Sequence, residues 1–278
     1  MKGGLTLPAQ VAFTVFTKPW TRPLAELGPF LAGLGFAGVE LPVRPGFQVE
    51  PEAAERALPA AARQLAGNGL RIASVAGPAD RRTIAACAAA GVPLLRLCVD
   101  IPRTRGYLEH EAATLRAFEA LEPALRDAGV TLGVQNHCDR CVGSALGLLR
   151  LVAPFEPRVI GAVWDPAHCA LAGEPPSLAA DILWSHLRLV NLKNARWERQ
   201  PGEGPARFRH AWVRGDEGLC RWDEVAAELR RRAYRGDVCL TAEYSARDGS
   251  HGVEGVDALI AADLAYARAL FAAGEGSA

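Results

Sequence analysis

The chain has 278 residues, half of them hydrophobic, which is enough to bury one large core. Its 31 Lys and Arg balance 31 Asp and Glu, leaving no excess of basic charge to displace counterions from phosphate, and this argues against a nucleic-acid binder. No apolar run reaches the ~18–20 residues that cross a bilayer, the first residues lack a signal-peptide pattern, and seven cysteines form an odd set without secreted-domain spacing. The expectation is a cytoplasmic chain with reduced thiols, away from membranes.

Eight short β-rich runs alternate with helical stretches. The runs are 11–17, 38–43, 71–76, 94–99, 131–137, 159–165, 187–193 and 238–244. Alanine- and leucine-rich segments with helical spacing fall at 24–34, 52–66, 82–89, 111–127, 144–152, 178–184, 222–232 and 256–271. Strand–helix alternation predicts a parallel sheet, and eight repeats predict closure into a single (β/α)₈ TIM barrel spanning residues 1–278 as one domain. A doubly wound sheet would want G-x-G-x-x-G after the first strand, and none is present. Gly35, Gly69, Gly91, Gly129 and Gly236 each fall between a helix and the next strand, where a left-handed cap is expected. Residues 1–8 and 274–278 read as frayed ends.

One connection is too long. Residues 194–221 exceed the ~2–6 residues usual for a βα loop and follow the seventh strand on the barrel's functional face. The stretch reads either as surface decoration or as a substrate lid carrying Arg199, Arg207, Arg209, His210 or Arg214.

Sites in such barrels form at the C-terminal ends of the strands. The fifth strand ends Gln135-Asn136-His137, the sixth Trp-Asp165-Pro-Ala-His168, the seventh Asn191-Leu-Lys193-Asn194 and the eighth Glu243-Tyr-Ser245. Period-2 alternation puts Gln135 with His137, and Asn191 with Lys193, on common faces. A carboxylate closing an apolar strand is costly to desolvate unless paired or metal-bound. The convergence of Asp165 and Glu243 therefore suggests a divalent cation. Glu40 with Arg44, and Lys18 beside Trp20, could hold substrate; alternatively Glu40 and Arg96 form a buried ion pair that fixes the interior. Cys138-Asp-Arg-Cys141 invites a zinc or redox reading, but zinc wants a second pair, with only His168-Cys169 at hand. Incidental thiols are the simpler reading.

Gly35-Phe-Ala-Gly-Val-Glu40-Leu, the strand ending at Gln135, Trp-Asp165-Pro-Ala-His168, Val-Asn191-Leu-Lys193, and Gly218-Leu-Cys-Arg-Trp222 leading to Glu243 resemble the xylose isomerase-like sugar phosphate isomerase/epimerase superfamily, in order and over almost the whole chain. The resemblance implies one divalent metal held by Glu, Asp, His and Glu, with the two glutamates moving a proton through an enediolate. Carried across, the ligands would be Gln135, Asp165, Asn191 and Glu243. Amides replace one glutamate and the histidine, so the set's formal charge falls from about −3 to −2, and the remaining oxygens favour Mg²⁺ or Mn²⁺. Glu243 would be the base, with His168 or His137 as the second acid/base. Lys18, Glu40, Arg44, Lys193 and Arg196 would meet the substrate.

The expected function is isomerisation or epimerisation of a small sugar, ketose or polyol derivative. A lyase or dehydratase on a keto-inositol or keto-sugar acid is the alternative, and a non-catalytic sugar-binding barrel that has lost its metal is a third. Endonucleases among related barrels use several histidines and a basic DNA face, which six histidines and zero net charge do not supply. The expected partner is a small carbohydrate, and the expected assembly a homodimer or homotetramer.

Overall fold

A computed structural model describes residues 11–246 and 255–272. The ends read as frayed, 1–8 and 274–278, lie outside these residues. The strands are β1 Ala12–Phe16, β2 Gly38–Pro42, β3 Arg71–Ala76, β4 Leu94–Cys98, β5 Thr131–Gln135, β6 Ile160–Trp164, β7 Leu187–Leu192, β8 Asn194–Arg199, β9 Phe208–Val213 and β10 Asp237–Leu240. Eight of them close in the order β1-β10-β7-β6-β5-β4-β3-β2, and β8 pairs with β9 apart from the barrel. The barrel pairings are all parallel. The α-helices are α1 Leu24–Leu34, α2 Ala54–Ala66, α3 Arg81–Ala89, α4 Tyr107–Ala128, α5 Ala145–Val152, α6 Pro166–Leu171, α7 Pro176–Leu183, α8 Trp222–Arg231 and α9 Val256–Ala272. The single (β/α)₈ barrel read from the sequence is the observed fold.

The strands read as continuous apolar runs because both faces are covered. Outward residues such as Val39, Leu95, Leu132, Val134 and Val190 join the helices in one large core. Inward residues Phe16, Ala76, Leu94, Val163, Leu189 and Cys239 form a separate apolar layer. Polar groups sit beyond that layer, and their ladder pairing stops early. Pairing ends at Gln135, Trp164, Leu192 and Leu240, rather than at His137, Asp165, Lys193 and Tyr244 as the apolar runs suggested. The chain turns outward at these points and releases the side chains at the mouth. Ala242, just before Glu243, adopts φ +53°, which residues other than glycine rarely take.

Gly35, Gly69, Gly91 and Gly129 take left-handed φ as expected. Gly236 does not: after α8 the left-handed residue is Ala233, at φ 51°. Two elements were not read from the sequence. Helix α6 is capped by Asp165, whose Oδ1 accepts the Ala167 N–H at 3.2 Å. The long connection is not an irregular lid: much of it is the β8–β9 hairpin, running in register from Asn194↔Val213 to Arg199↔Phe208. Asn194 fastens it, donating to the carbonyls of Gly215 and Cys220 and accepting from the N–H groups of Ala195 and Cys220. A Cβ on Gly218 would lie 2.1 Å from Asn194 Oδ1, so that turn needs glycine for close approach.

Across the barrel interior, Arg96 grips Glu40 through Nε and Nη2, both at 2.7 Å, and Ser74 donates to the same carboxylate at 3.0 Å. Glu40 is fully buried. Removing one member strands a desolvated charge. Glu40→Ala is expected to lower unfolding free energy by about 3–5 kcal/mol, and Glu40→Met with Arg96→Met to recover part of that loss. Urea denaturation checks both; equal destabilisation of single and double variants would contradict a charge-driven effect.

Candidate active site

Four late strand ends place their side chains around one network. Asp165 is fully buried. Asn136 clamps its backbone, accepting the Asp165 N–H at 2.8 Å and donating to its carbonyl at 2.9 Å. Asp165 Oδ2 accepts from Gln135 Nε2 at 2.8 Å and lies 3.4 Å from Lys193 Nζ. The same ammonium is 3.3 Å from Glu243 Oε2, and Lys18 Nζ meets Glu243 Oε1 at 2.6 Å. Arg96 donates to Gln135 Oε1, joining the Glu40 pair to the network. Asp165 and Glu243, 78 positions apart in the chain, thus meet across the mouth through one shared lysine.

Lys193 is held from several sides. Its ammonium sits 4.1 Å from the Trp212 ring centroid, a cation–π contact. Its carbonyl accepts from Trp222 Nε1 at 3.0 Å, the last residue of Gly218-Leu-Cys-Arg-Trp222. Trp212 is fixed in turn: its N–H donates to Ser245 Oγ and its carbonyl accepts the Ser245 N–H. The hairpin therefore contributes a wall to the site.

The charges follow from these neighbours. Burial would depress the Lys193 pKa, but Asp165 and Glu243 outweigh it and raise it, so the residue is an ammonium. Burial pushes Asp165 up to about 6, with Lys193 pulling against the shift. Burial likewise opposes ionisation of Glu243, yet Lys193 and Lys18 hold it well below the usual carboxylate range. His137 and His168 are both lowered by burial and by Lys193, and are neutral at pH 7. His137 Nδ1 donates to the Cys138 carbonyl at 3.1 Å, leaving its Nε2 as a lone pair. His168 Nδ1 accepts the Cys138 N–H at 3.0 Å, so its Nε2 carries the proton, 3.5 Å from Asp165 Oδ2.

A cavity of about 360 Å³ opens on this network. Lys18, Arg44, Gln135, His137, Asn191, Lys193 and Glu243 line it, whereas Glu40, Asp165, His168 and Arg196 do not. Glu40 is spent on Arg96, and Asp165 and His168 lie behind the wall. Arg196 is exposed and paired with Glu198 at 3.0 Å. Among the lid candidates, Arg209 also meets Glu198, Arg214 meets Asp216, and His210 packs against Trp212. Arg44 carries no salt bridge or hydrogen bond from its side chain among the described residues; its guanidinium lies 5.9 Å from the Phe16 ring centroid. Burial and the nearby Arg96 lower its pKa. Thr241, Trp212 and Asn136 were not singled out as functional. Alternation back from Glu243 would have found Thr241, whose hydroxyl is buried without a partner among the described residues, as are both polar atoms of Asn191.

The ligand set implied by the resemblance does not fit a divalent ion in this arrangement. An amide ligates through its oxygen, and Arg96, which can only donate, occupies Gln135 Oε1. Gln135 therefore turns N–H toward Asp165. Magnesium binds oxygens at about 2.0–2.1 Å, inside the space that Lys193 fills. A dication beside that ammonium would meet repulsion of about 4 kcal/mol per unit charge at 4 Å and an effective dielectric of 20. Asn191 alone offers an unspent oxygen. Elsewhere at the mouth, ligand atoms of His137, Cys138 and His168, and of Cys138, Asp139 and His210, lie within 4.8 Å of one another. The His137 and His168 rings, however, lie against each other, with centroids at 4.1 Å. Cys138 and Cys141 are free thiols, and Cys141 donates to Asp100 at 2.9 Å.

The chain belongs to the xylose isomerase-like TIM barrel family, whose model matches residues 29–270. Among solved structures it resembles D-psicose 3-epimerase of Clostridium cellulolyticum H10, solved with D-tagatose (TM-score 0.71, 13% identity, covering 94% of this chain and 99% of that one). It also resembles the probable 3-DHS dehydratase of Bacillus anthracis (TM-score 0.68, 14% identity, 92% and 98%). A third is a xylose isomerase-like TIM barrel protein of Mycobacterium smegmatis in complex with magnesium (TM-score 0.67, 15% identity, 98% and 99%). No curated protein matches the chain. Among the described residues, no helix is long and apolar enough to cross a membrane.

Burial, with Asp139 beside it, raises the Cys138 thiol to about 12, and burial with the Asp100 hydrogen bond raises Cys141 as well. Both thiols should alkylate slowly with iodoacetamide at pH 7.5, the rate climbing about tenfold per pH unit as thiolate forms. Rapid labelling at neutral pH would restore the redox reading.

Proposed function

We propose that this chain is a carbon-acid enzyme, an isomerase or epimerase acting on a small sugar-, ketose- or polyol-derived carbonyl compound. The observation that carries it is the Lys193 ammonium placed beside the cavity-facing Glu243 carboxylate. Proton abstraction next to a carbonyl needs a base at the carbon and a positive group at the oxygen where charge develops. Glu243 serves as the base. Its pairing with two lysines makes it a weak base at rest, and a substrate oxygen that draws hydrogen bonds from Lys193 loosens one pairing as the reaction begins. Lys193 stabilises the enediolate oxygen.

His137, neutral and with its Nε2 lone pair unspent, accepts the proton of a substrate hydroxyl and then returns it to the neighbouring oxygen. Asn191 and Thr241 supply unspent polar atoms for hydroxyl groups. Arg44, also on the wall, has no acidic salt-bridge partner among the described residues, which suits an oxygen-rich or anionic end of the substrate. Asp165 and His168 act from behind the wall, by positioning Lys193. A dehydratase on a keto-inositol or keto-sugar acid would use the same first step. The similarity to a dehydratase and the single cavity-facing carboxylate among Gln135, Asp165, Asn191 and Glu243 favour it as the second reading.

The test is a panel of ketoses, keto-inositols and their acids incubated with the full chain in D₂O and followed by NMR and mass spectrometry. Deuterium should enter next to the carbonyl, with mass otherwise conserved for isomerisation and one water lost for dehydration. Glu243→Gln should slow exchange about 10²–10⁴-fold while leaving the fold intact. Wild-type exchange in that variant, or binding without exchange across the panel, would refute the reading, the latter in favour of a sugar-binding barrel.

The pH profile gives a second check. Asp165 gains a proton as pH falls through about 6, and the network then loses one of the two anions that hold Lys193. Exchange should therefore fall on the acid side of pH 6, and Asp165→Asn should lack that limb. An identical limb in the variant would assign it elsewhere.

A further inference from the structure

We infer that the Lys193 ammonium, held between Asp165 and Glu243, takes the place and the role of a divalent cation, so that this mouth works without a metal. The inference rests on the carbon-acid reading for the role it gives Lys193, but not for the vacancy it denies to an ion. Three structural features converge. First, the carboxylates that would anchor an ion are already matched in charge. Lys193 lies 3.4 Å from Asp165 and 3.3 Å from Glu243, and Lys18 lies 2.6 Å from the second carboxylate oxygen. Two anions meet two ammonium groups, and a dication would leave the site strongly over-positive.

Second, the amide that would complete the ligand set is turned the wrong way. Arg96 cannot accept a hydrogen bond, so the Gln135 atom facing it is oxygen, and the N–H group faces Asp165 at 2.8 Å. Restoring Gln135 as an oxygen ligand would set two donors, its own NH₂ and the Arg96 guanidinium, against each other. Third, Lys193 is built in rather than draped over the site. Its side chain is 5% exposed, its ammonium rests on the Trp212 ring, and its backbone is tied to Trp222. A lysine merely filling a metal's space would not need an aromatic seat supplied by a separate hairpin.

Chemically the exchange is sensible. An ammonium has three donors; with two directed at Asp165 and Glu243, the third serves a developing oxyanion, as a Lewis-acidic ion offers an open coordination position, and Asp165 supplies the counter-charge that keeps it protonated. The substrate that fits places one oxygen at Lys193 and its acidic C–H toward Glu243, without needing two oxygens to chelate an ion.

The experiment is a Mn²⁺ titration of the full chain after dialysis against EDTA, with free Mn²⁺ followed by electron paramagnetic resonance. Wild type, Asp165→Asn and Glu243→Gln should give superimposable curves, with no site at the mouth filling below about 1 mM. Lys193→Met, which leaves the carboxylates without their shared cation, should gain at least tenfold in Mn²⁺ affinity, and the added Asp165→Asn change should abolish the gain. Binding that persists unchanged in Asp165→Asn and Glu243→Gln lies away from these carboxylates and supports the inference. One equivalent bound by wild type near 1 μM and lost in either carboxylate variant would overturn it. Circular dichroism of each variant confirms that it folds, and Glu243→Gln stands in should Asp165→Asn fail to. Because the titration needs no substrate, it can fail while deuterium exchange succeeds, or the reverse, and the two readings are separable.

Discussion

The mouth of this barrel depends on one constraint: acidic groups withdrawn from water must find positive charge inside the protein. Glu40 and Asp165 are buried and Glu243 lines the cavity; Arg96 holds the first, Lys193 is shared by the other two, and Lys18 adds a second cation to Glu243. The pairs are not isolated. Gln135 accepts from Arg96 and donates to Asp165, so a chain of hydrogen bonds and ion pairs runs from Glu40 on β2 to Glu243 beyond β10. In a low-dielectric interior such a network is stable only when every member is satisfied. Fixing one end therefore fixes the orientation of the other, and the site is pre-organised before any substrate enters.

The scaffold supplies the dryness that makes those charges effective. Beneath the network lies the apolar layer containing Phe16, Leu94, Val163 and Leu189, which blocks water from below. Above it, the β8–β9 hairpin brings Trp212 over Lys193, and the hairpin itself hangs on Asn194 and Ser245. The long connection after β7 thus works through an aromatic ring and a turn that only glycine permits at position 218, rather than through its arginines. Arg196 and Arg209 meet Glu198, and Arg214 meets Asp216, all on the same stretch.

How much of this was legible in the sequence depended on whether the signal was local. Apolar runs and helical spacing delimit all eight barrel strands and eight of the helices, because burial on both faces leaves an unmistakable pattern. The polar strand ends were equally visible, and the meeting of Asp165 with Glu243 follows from the barrel's closure. Partner choice was not visible. Nothing local in Val-Asn191-Leu-Lys193 says that Lys193 reaches Asp165 instead of solvent, or that His168 points behind the wall while His137 faces the cavity. The hairpin escaped notice although Asn-Ala-Arg-Trp-Glu-Arg alternates polar with apolar, because its many charges and the Pro- and Gly-rich turn at 201–205 read as loop. Gly236 misled for a related reason: a glycine after a helix suggests a left-handed cap, but Ala233 had already turned the chain.

The amides at Gln135 and Asn191 look, from sequence alone, like losses from a ligand set. Within the network they are different from one another. Gln135 is committed at both ends, its oxygen to Arg96 and its nitrogen to Asp165, a pairing that a carboxylate could not make because it has no hydrogen to give Asp165. A glutamate there would instead place two unprotonated carboxylates side by side, which a bridging cation would have to relieve. The amide removes that need. Asn191 is buried with neither polar atom satisfied among the described residues, an arrangement that costs about 1–3 kcal/mol per unmet group and is relieved when a ligand supplies the missing partner. One substitution therefore stabilises the resting site, and the other leaves it incomplete until a hydroxyl or carbonyl group arrives.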